Sequence, residues 1–270
     1  MANETLFSVL TEAVNHYRQF GFTSQAELNA WVQRIRGIGL KALQTPAQTE
    51  KQLKQALTNR YSQLVTHHGV LRSMPEIARA TVERVKPKLR RDLDRRIMAS
   101  ANLIKLNRDE AISNTLRRFQ GWATSIPAGG SKIVDPKAKK DDIRKPLAQM
   151  DFIQRRVVVD QTHKLVDSIH KIVAEEGGAL AARWHSPWRR KGYDYRKDHK
   201  ERDEHVYAVR GNWALEKGLM KPGPDGYTDE IERPGEFVFC SCSYEYIFTL
   251  RKLPDNMLTK AGIYALPQRI

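Results

Sequence analysis

Residues 237–250 read FVFCSCSYEYIFTL, and this stretch decides the fold class. β-branched and aromatic residues recur there with period-two spacing, which is the pattern of a strand, so a strand is expected from Phe237 to Leu250. Side chains alternate across a strand, so Val238, Cys240, Cys242, Tyr244, Tyr246, Phe248 and Leu250 are expected to share one apolar face. A good strand near the end of a chain that is otherwise helical in its periodicity predicts an α+β protein, mainly α. The helical part comes first. A small α+β C-terminal domain with a short antiparallel sheet follows.

Upstream of that strand, residues 186–236 are rich in Gly, Pro, aromatic and charged residues, and Ala179 to His185 reads as a short strand. A helix is expected from about Pro146 to Glu176, with Val158, Leu165, Ile169 and Ile172 on one face and Gly177-Gly178 closing it. Residues 126–145 break the pattern. The cluster Ile126-Pro127-Ala128-Gly129-Gly130 is followed by Lys132, Lys137, Lys139, Lys140, Arg144 and Lys145, which reads as a basic linker.

The first half is helical in pattern. Leu6, Leu10, Val14 and Tyr17 mark one helix over residues 4–19. Ser24 with Glu27 is a capping box opening a second, through about Leu43. Thr45-Pro46, with Gln48 as the reciprocal cap, opens a third that runs to about His67, where Gly69 ends it. Pro75 opens another helical stretch, expected to be interrupted at Pro87. From Lys88 to about Trp122 a long stripe contains Leu89, Leu93, Ile97, Ile104, Ile112, Leu116 and Phe119. The expected organisation is therefore a helical N-terminal region over 1–125, a basic linker over 126–145 and a C-terminal domain over 146–270.

Forty-six Lys and Arg against 31 Asp and Glu leave a net charge of +15 over 270 residues. Such a field favours polyanions, with nucleic acid or an acidic protein surface ahead of lipid. No run of about 18 apolar residues suggests a membrane span, so no membrane partner is expected. The N-terminus lacks the charged-then-apolar order of a secretion signal. The two cysteines, Cys240 and Cys242, stand too close for a comfortable disulfide, so a reducing cytoplasm is the expected place of synthesis.

Three groups of residues are candidates for binding. In a strand, Cys240 and Cys242 point the same way, and two thiolates on one face can chelate zinc with histidines completing the set. His199 and His205 are the expected partners, with His185 a further candidate. The same face is apolar, and cysteine there also reads as a small buried hydrophobe; both readings stand. The segment Arg183 to Arg202 interleaves Arg189, Arg190, Lys191, Arg196, Lys197 and Lys200 with Trp184, Trp188, Tyr193 and Tyr195, a pattern suited to phosphate neutralisation and stacking. Around a helix start, Lys88, Arg91 and Arg95 fall on one stripe beside Arg90, with Asp92 and Asp94 diluting the charge. Together with Lys137, Lys139 and Lys140 these are the candidate nucleic-acid contacts.

No catalytic set is expected. Asp198-His199 and Asp203 with His205 invite a metal-dependent nuclease reading through His199, His205, Cys240 and Cys242. A His-Asn-His nuclease, however, needs a final His after an Asn, and no His follows His205. Gly-rich phosphate loops, nucleophile elbows and His-Glu-x-x-His helices are absent from the sequence. His163 and His170, a heptad apart, read as structural.

The stretch from about Arg156 to Tyr246 resembles the phage head morphogenesis family, the minor head proteins similar to protein F of phage Mu. In that family a helix leads to a Trp-bearing strand, then Arg-x-x-His, a Gly turn, Pro-Gly and Cys-x-Cys. Here these are the helix Arg156 to Glu176, Trp184, Arg202-Asp203-Glu204-His205, Gly211, Pro234-Gly235 and Cys240-Ser241-Cys242. Many members carry a further Cys pair in the loop, which this chain lacks, and the central residue of Cys-x-Cys is often Arg, here Ser241. The resemblance implies a non-enzymatic, low-copy component of the virion head, assembled in the host cytoplasm. Its implied partners are portal protein, double-stranded DNA bound without regard to sequence, and capsid or scaffold protein.

Overall fold

The computed structural model describes residues 4–126 and 135–266. The helices are α1 (Leu6–Phe20), α2 (Gln25–Ala42), α3 (Pro46–Tyr61), α4 (Gly69–Ser73), α5 (Arg79–Ser125), α6 (Pro136–Ala148), α7 (Met150–Glu176), α8 (Lys197–Glu201), α9 (Trp213–Glu216) and α10 (Lys260–Tyr264). The strands are β1 (Ala181–His185), β2 (Val206–Ala208) and β3 (Ser243–Ile247). The fold class is α+β, mainly α, with one small antiparallel sheet in the C-terminal region.

The chain forms two compact units, one from Met1–Leu53 and Met98–Val157, the other from Lys54–Ile97 and Val158–Ile270. This division differs from the expected boundary at 126–145. Part of that stretch, residues 127–134, lies outside the described residues. The rest is largely α6: Asp135 accepts from the Lys137 N–H at 2.9 Å as N-cap, Pro136 opens the helix, and Ile143 and Leu147 are buried. Lys137 and Lys145 face solvent while Lys139 and Lys140 are partly buried, and the charge pattern resembled a linker because the buried apolar residues are few.

In the first unit, Thr5 caps α1 with a reciprocal Ser8 bond, and Ser24 caps α2, so two polar residues fix where these helices begin. Val9, Leu10, Ala13, Val14 and Tyr17 of α1 pack with Leu28 and Ile35 of α2, Phe119 and Ala123 of α5, and Ile143 of α6. Tyr17 meets Phe119 edge-on at 5.8 Å. A second cluster joins Ala111, Ile112, Leu147 and Met150.

In the second unit, the expected helix end near Gly69 is a π-helical turn over Ser62–Thr66, after which left-handed His68 (φ 55°) leads into α4. Pro87 does not interrupt α5; it sits exposed inside the helix while Val82, Val85, Leu89 and Leu93 keep the buried stripe in phase. Burial of that stripe outweighs the single lost hydrogen bond. α7 ends in a Schellman motif: Ala179 N–H bonds Ala174 C=O at 2.9 Å and Gly178 N–H bonds Glu175 C=O at 3.1 Å. Gly178 takes φ +80°, which a side chain would resist. That turn delivers the chain into β1.

β1 is the central strand, antiparallel to β2 and β3, in the order β2-β1-β3. Ala182 faces Tyr207 and Tyr246, and Trp184 faces Tyr244. One side of the sheet buries Ala181, Val206, Ala208 and Ile247 against Met220, Leu250 and Met257. The other side buries Ala182, Trp184, Tyr207 and Tyr244 together with Cys240 and Cys242. The expected strand over 237–250 is therefore shorter than its apolar pattern. Only Ser243–Ile247 pairs, because the Cys240 N–H turns back to Phe237 C=O at 3.2 Å and Phe239 adopts φ 63°.

Candidate metal centre and basic loop

The turn over 237–242 is held from several sides. Asp160 on α7, buried, accepts the Phe239 N–H at 2.7 Å. The Tyr193 hydroxyl accepts the Ser241 N–H at 3.0 Å. Arg196 donates to the Val238 carbonyl at 3.1 Å, and Arg190 donates to Ser241 Oγ at 3.3 Å. These bonds replace strand pairing and fix the backbone between the two cysteines.

His199 meets the two cysteines. Its Nδ1 lies 3.5 Å from Cys240 Sγ and 3.5 Å from Cys242 Sγ, and all three residues are buried. Zinc bonds of ~2.05 Å to nitrogen and ~2.3 Å to sulfur at a tetrahedral angle place those atoms ~3.6 Å apart. The observed spacing matches that value for both sulfurs at once, and the three ligand atoms lie within 4.8 Å of one another. Trp184 Nε1 and Ser186 Oγ are buried without a hydrogen-bond partner among the described residues, and the hydrogen bond with Cys240, together with burial, raises Cys242 above the usual thiol range. Cys240 is held well below the usual thiol range, chiefly by a hydrogen bond from Cys242, which keeps the shared proton. His199 Nε2, also buried without a hydrogen-bond partner, has the Asp198 carboxylate 3.8 Å away, on the side where a carboxylate would orient a metal-bound imidazole. The residues present can hold a zinc ion through one nitrogen and two sulfurs.

His205, expected beside them, is elsewhere. Its Nδ1 pairs with Asp225 at 2.9 Å, and its side chain is half exposed. The Asp225 carboxylate also accepts the Val206 N–H at the start of β2, which fixes that pairing. His185 instead approaches Glu204 at 3.2 Å and Glu245 at 3.1 Å at the end of the central strand. The two cysteines do converge as the sequence suggested, but through a turn and without the pleat of a strand.

Of the remaining motif residues, Trp184 is fully buried and Arg202 lies against it. The Arg202 guanidinium lies 5.4 Å from the Trp184 ring and pairs with Glu232 at 2.9 Å and Asp198 at 3.4 Å. Gly211 and Gly235, the latter following Pro234, take φ of 70° and 77° at tight turns.

The candidate nucleic-acid contacts divide. Arg90 pairs with Asp94 at 3.2 Å and Arg95 with Asp92 at 2.7 Å, while Arg91 is exposed. Lys140 leans on α1, 3.2 Å from Thr11 Oγ1 and 4.9 Å from the Phe7 ring; Lys137 is exposed and Lys139 half-buried. In the loop before α8, Arg189 and Lys200 both lie over Trp188, at 4.5 and 4.4 Å, and Arg190 lies over Tyr193 at 4.8 Å. Lys191 is exposed beside them. The sequence offered no sign that Asp160, 79 residues away, anchors this region.

No described helix is long and apolar enough to cross a membrane. Comparison with protein-family models, curated proteins and solved structures finds no match in any of the three.

Proposed function

We propose that the chain is a minor head protein of a tailed bacteriophage, a non-enzymatic component that binds portal protein and packaged double-stranded DNA during head assembly. Capsid or scaffold protein is a further partner. The observation that carries this reading is the clustering of four residues of its ordered motif, although His205 stands apart, paired with Asp225. Trp184, Arg202, Cys240 and Cys242 surround one buried centre, with Gly211 and Pro234-Gly235 at turns of the same unit. Residues scattered over about 60 positions are expected to converge in this way if they form one inherited module. The surplus of Lys and Arg supports a sequence-independent grip on phosphate.

Two measurements test this. Co-sedimentation with portal protein and presence in purified procapsids are expected, together with DNA binding that weakens steeply with salt. Absence from heads and procapsids alike would remove the proposal.

Metal-dependent nucleic-acid cleavage through His199, His205, Cys240 and Cys242 has less support. Three of those residues are buried, and the fourth faces Asp225. Incubation of duplex DNA with the chain and Mg2+, Mn2+ or Zn2+ is expected to leave it intact.

A further inference from the structure

We infer that a zinc-type divalent ion held by His199, Cys240 and Cys242 clasps the basic segment 188–202 into a phosphate-binding surface, so that the grip on DNA depends on the ion. The inference deepens the DNA-binding reading above and rests on it for the identity of the polyanion.

The segment is tied at its ends, by Trp188 Nε1 to Asp203 at 2.8 Å and Arg202 to Glu232 at 2.9 Å, and between them lies α8. α8 is five residues long, too short to stand alone as a helix. His199 is its one buried residue; Lys197, Asp198, Lys200 and Glu201 around it are exposed. A helix anchored by a single imidazole depends on what that imidazole binds. The partners of His199 Nδ1 are the two sulfurs, equidistant at 3.5 Å. One ring nitrogen makes one good hydrogen bond, so two equal sulfur contacts fit a shared central ion better than a thiol pair. Trp184, packed in the same buried cluster as the two cysteines, carries an Nε1 donor without a hydrogen-bond partner among the described residues, which a metal-bound thiolate would satisfy.

The same three residues join the loop to the 237–242 turn. Arg190 and Tyr193 bond Ser241, next to Cys240, Arg196 bonds Val238, two positions before it, and the Arg196 guanidinium lies 4.9 Å from the Phe237 ring. Fixing the sulfurs to His199 therefore fixes both ends of these contacts. On the outer side, residues 188–202 carry seven Lys or Arg against three Asp or Glu. Arg189 and Lys200, both exposed, are held by the face of Trp188. Neither has a carboxylate within ion-pair distance among the described residues. Cations held by an aromatic face and free of acid partners are placed to receive phosphodiester oxygens.

The test uses the full chain in zinc-loaded, chelator-stripped and reloaded forms. One equivalent of zinc is expected by elemental analysis. Replacement by Co2+ is expected to give thiolate-to-cobalt charge-transfer absorption with the strong visible bands of a tetrahedral site. Affinity for a labelled random-sequence duplex is read by fluorescence anisotropy across a salt series. Stripping is expected to lower the slope of log affinity on log salt by about 2–3, since each phosphate contact contributes about 0.9, and reloading is expected to restore it. The metal-loaded Arg189→Ala/Lys200→Ala variant is expected to keep its zinc and cobalt spectrum while losing about 2 from that slope. No metal uptake, or the same affinity and slope in loaded and stripped protein, overturns the inference and leaves general DNA binding standing. Failure of every form to bind DNA overturns both readings. If stripping unfolds the chain by circular dichroism, the double variant decides, and an unchanged slope there overturns the inference.

Discussion

The Asp160 carboxylate accepts the backbone N–H of Phe239 at 2.7 Å, joining the middle of α7 to a left-handed residue one position before Cys240. Lys164 stands 3.2 Å from the other oxygen, so the buried carboxylate is paired on both sides. Asp160→Ala strands the Phe239 N–H and the ammonium together. It is expected to cost about 2–3 kcal/mol in denaturant unfolding. Asp160→Asn keeps an acceptor and is expected to cost about half as much. Equal losses would mean that the pairing with Lys164, and not the bond to Phe239, holds the turn.

Two groups give the second unit opposing pH dependences. Burial lowers His170 to about 4, with Arg60 adding to the effect, so His170 folds neutral. Its contribution is present above its unfolded value of about 6.5 and is lost as pH falls through about 4. Burial raises Asp167 to about 7 against the pull of Arg233 and Lys171. Its contribution is present below about 4 and is lost as pH rises through about 7. His170→Gln is therefore expected to move the pH of maximal Tm toward acid, and Asp167→Asn to move it toward neutral. Each shift reflects on the order of 2 kcal/mol at the far end of the window. Displacement of both variants in the same direction would contradict this assignment.

Two glycines separate backbone strain from lack of space. At Gly178 an added methyl finds room, its nearest neighbour being a Trp213 ring carbon at 3.7 Å, but φ is +80°. Gly178→Ala is expected to cost about 1–2 kcal/mol from conformation alone. At Gly262 the methyl would stand 1.9 Å from the Leu219 carbonyl oxygen. Gly262→Ala must push α10 off its seat, and a loss of about 2–3 kcal/mol is expected. Urea midpoints of the two variants measure the difference.

Pro87 is exposed within α5 and contributes no N–H to the helix. Pro87→Ala restores the bond to the Glu83 carbonyl and removes the ring clash. It is expected to raise stability by about 1–3 kcal/mol. An unchanged or lower Tm would mean that the proline serves the native path of the helix.

Two helix starts were legible in the sequence because caps are local: Ser24 and Pro46 sit where their chemistry places them, whereas Pro75, expected to open a helix, precedes a turn and α5 begins at Arg79. Two of the three strands were legible, β1 after the glycine end of α7 and β3 from its β-branched and aromatic patterning; β2, three residues long, left no local pattern. The partnership of His199 with the cysteines was half legible. Spacing offered His199 and His205 equally, and only the turn of 237–242 and the pairing of His205 with Asp225 separate them. Strand length was overread because Phe237, Val238 and Phe239 look like strand residues, yet they are exposed side chains on a turn held by Asp160, Arg196 and Tyr193. Such long-range bonds leave no mark in local periodicity. The basic stretch of α6 was misread for the opposite reason: two buried residues, Ile143 and Leu147, were enough to seat a helix that charge made look unstructured.

The passages between the two units, after residues 53, 97 and 157, each fall inside a helix: α3, α5 and α7. Neither unit is therefore a single length of ribbon that could be cut free at one peptide bond. A ribosome finishing residue 157 has released all that the first body needs. The second body, begun at residue 54, must wait for the last hundred residues before its sheet can close, so the piece that starts first completes first and the later one matures around helices already made.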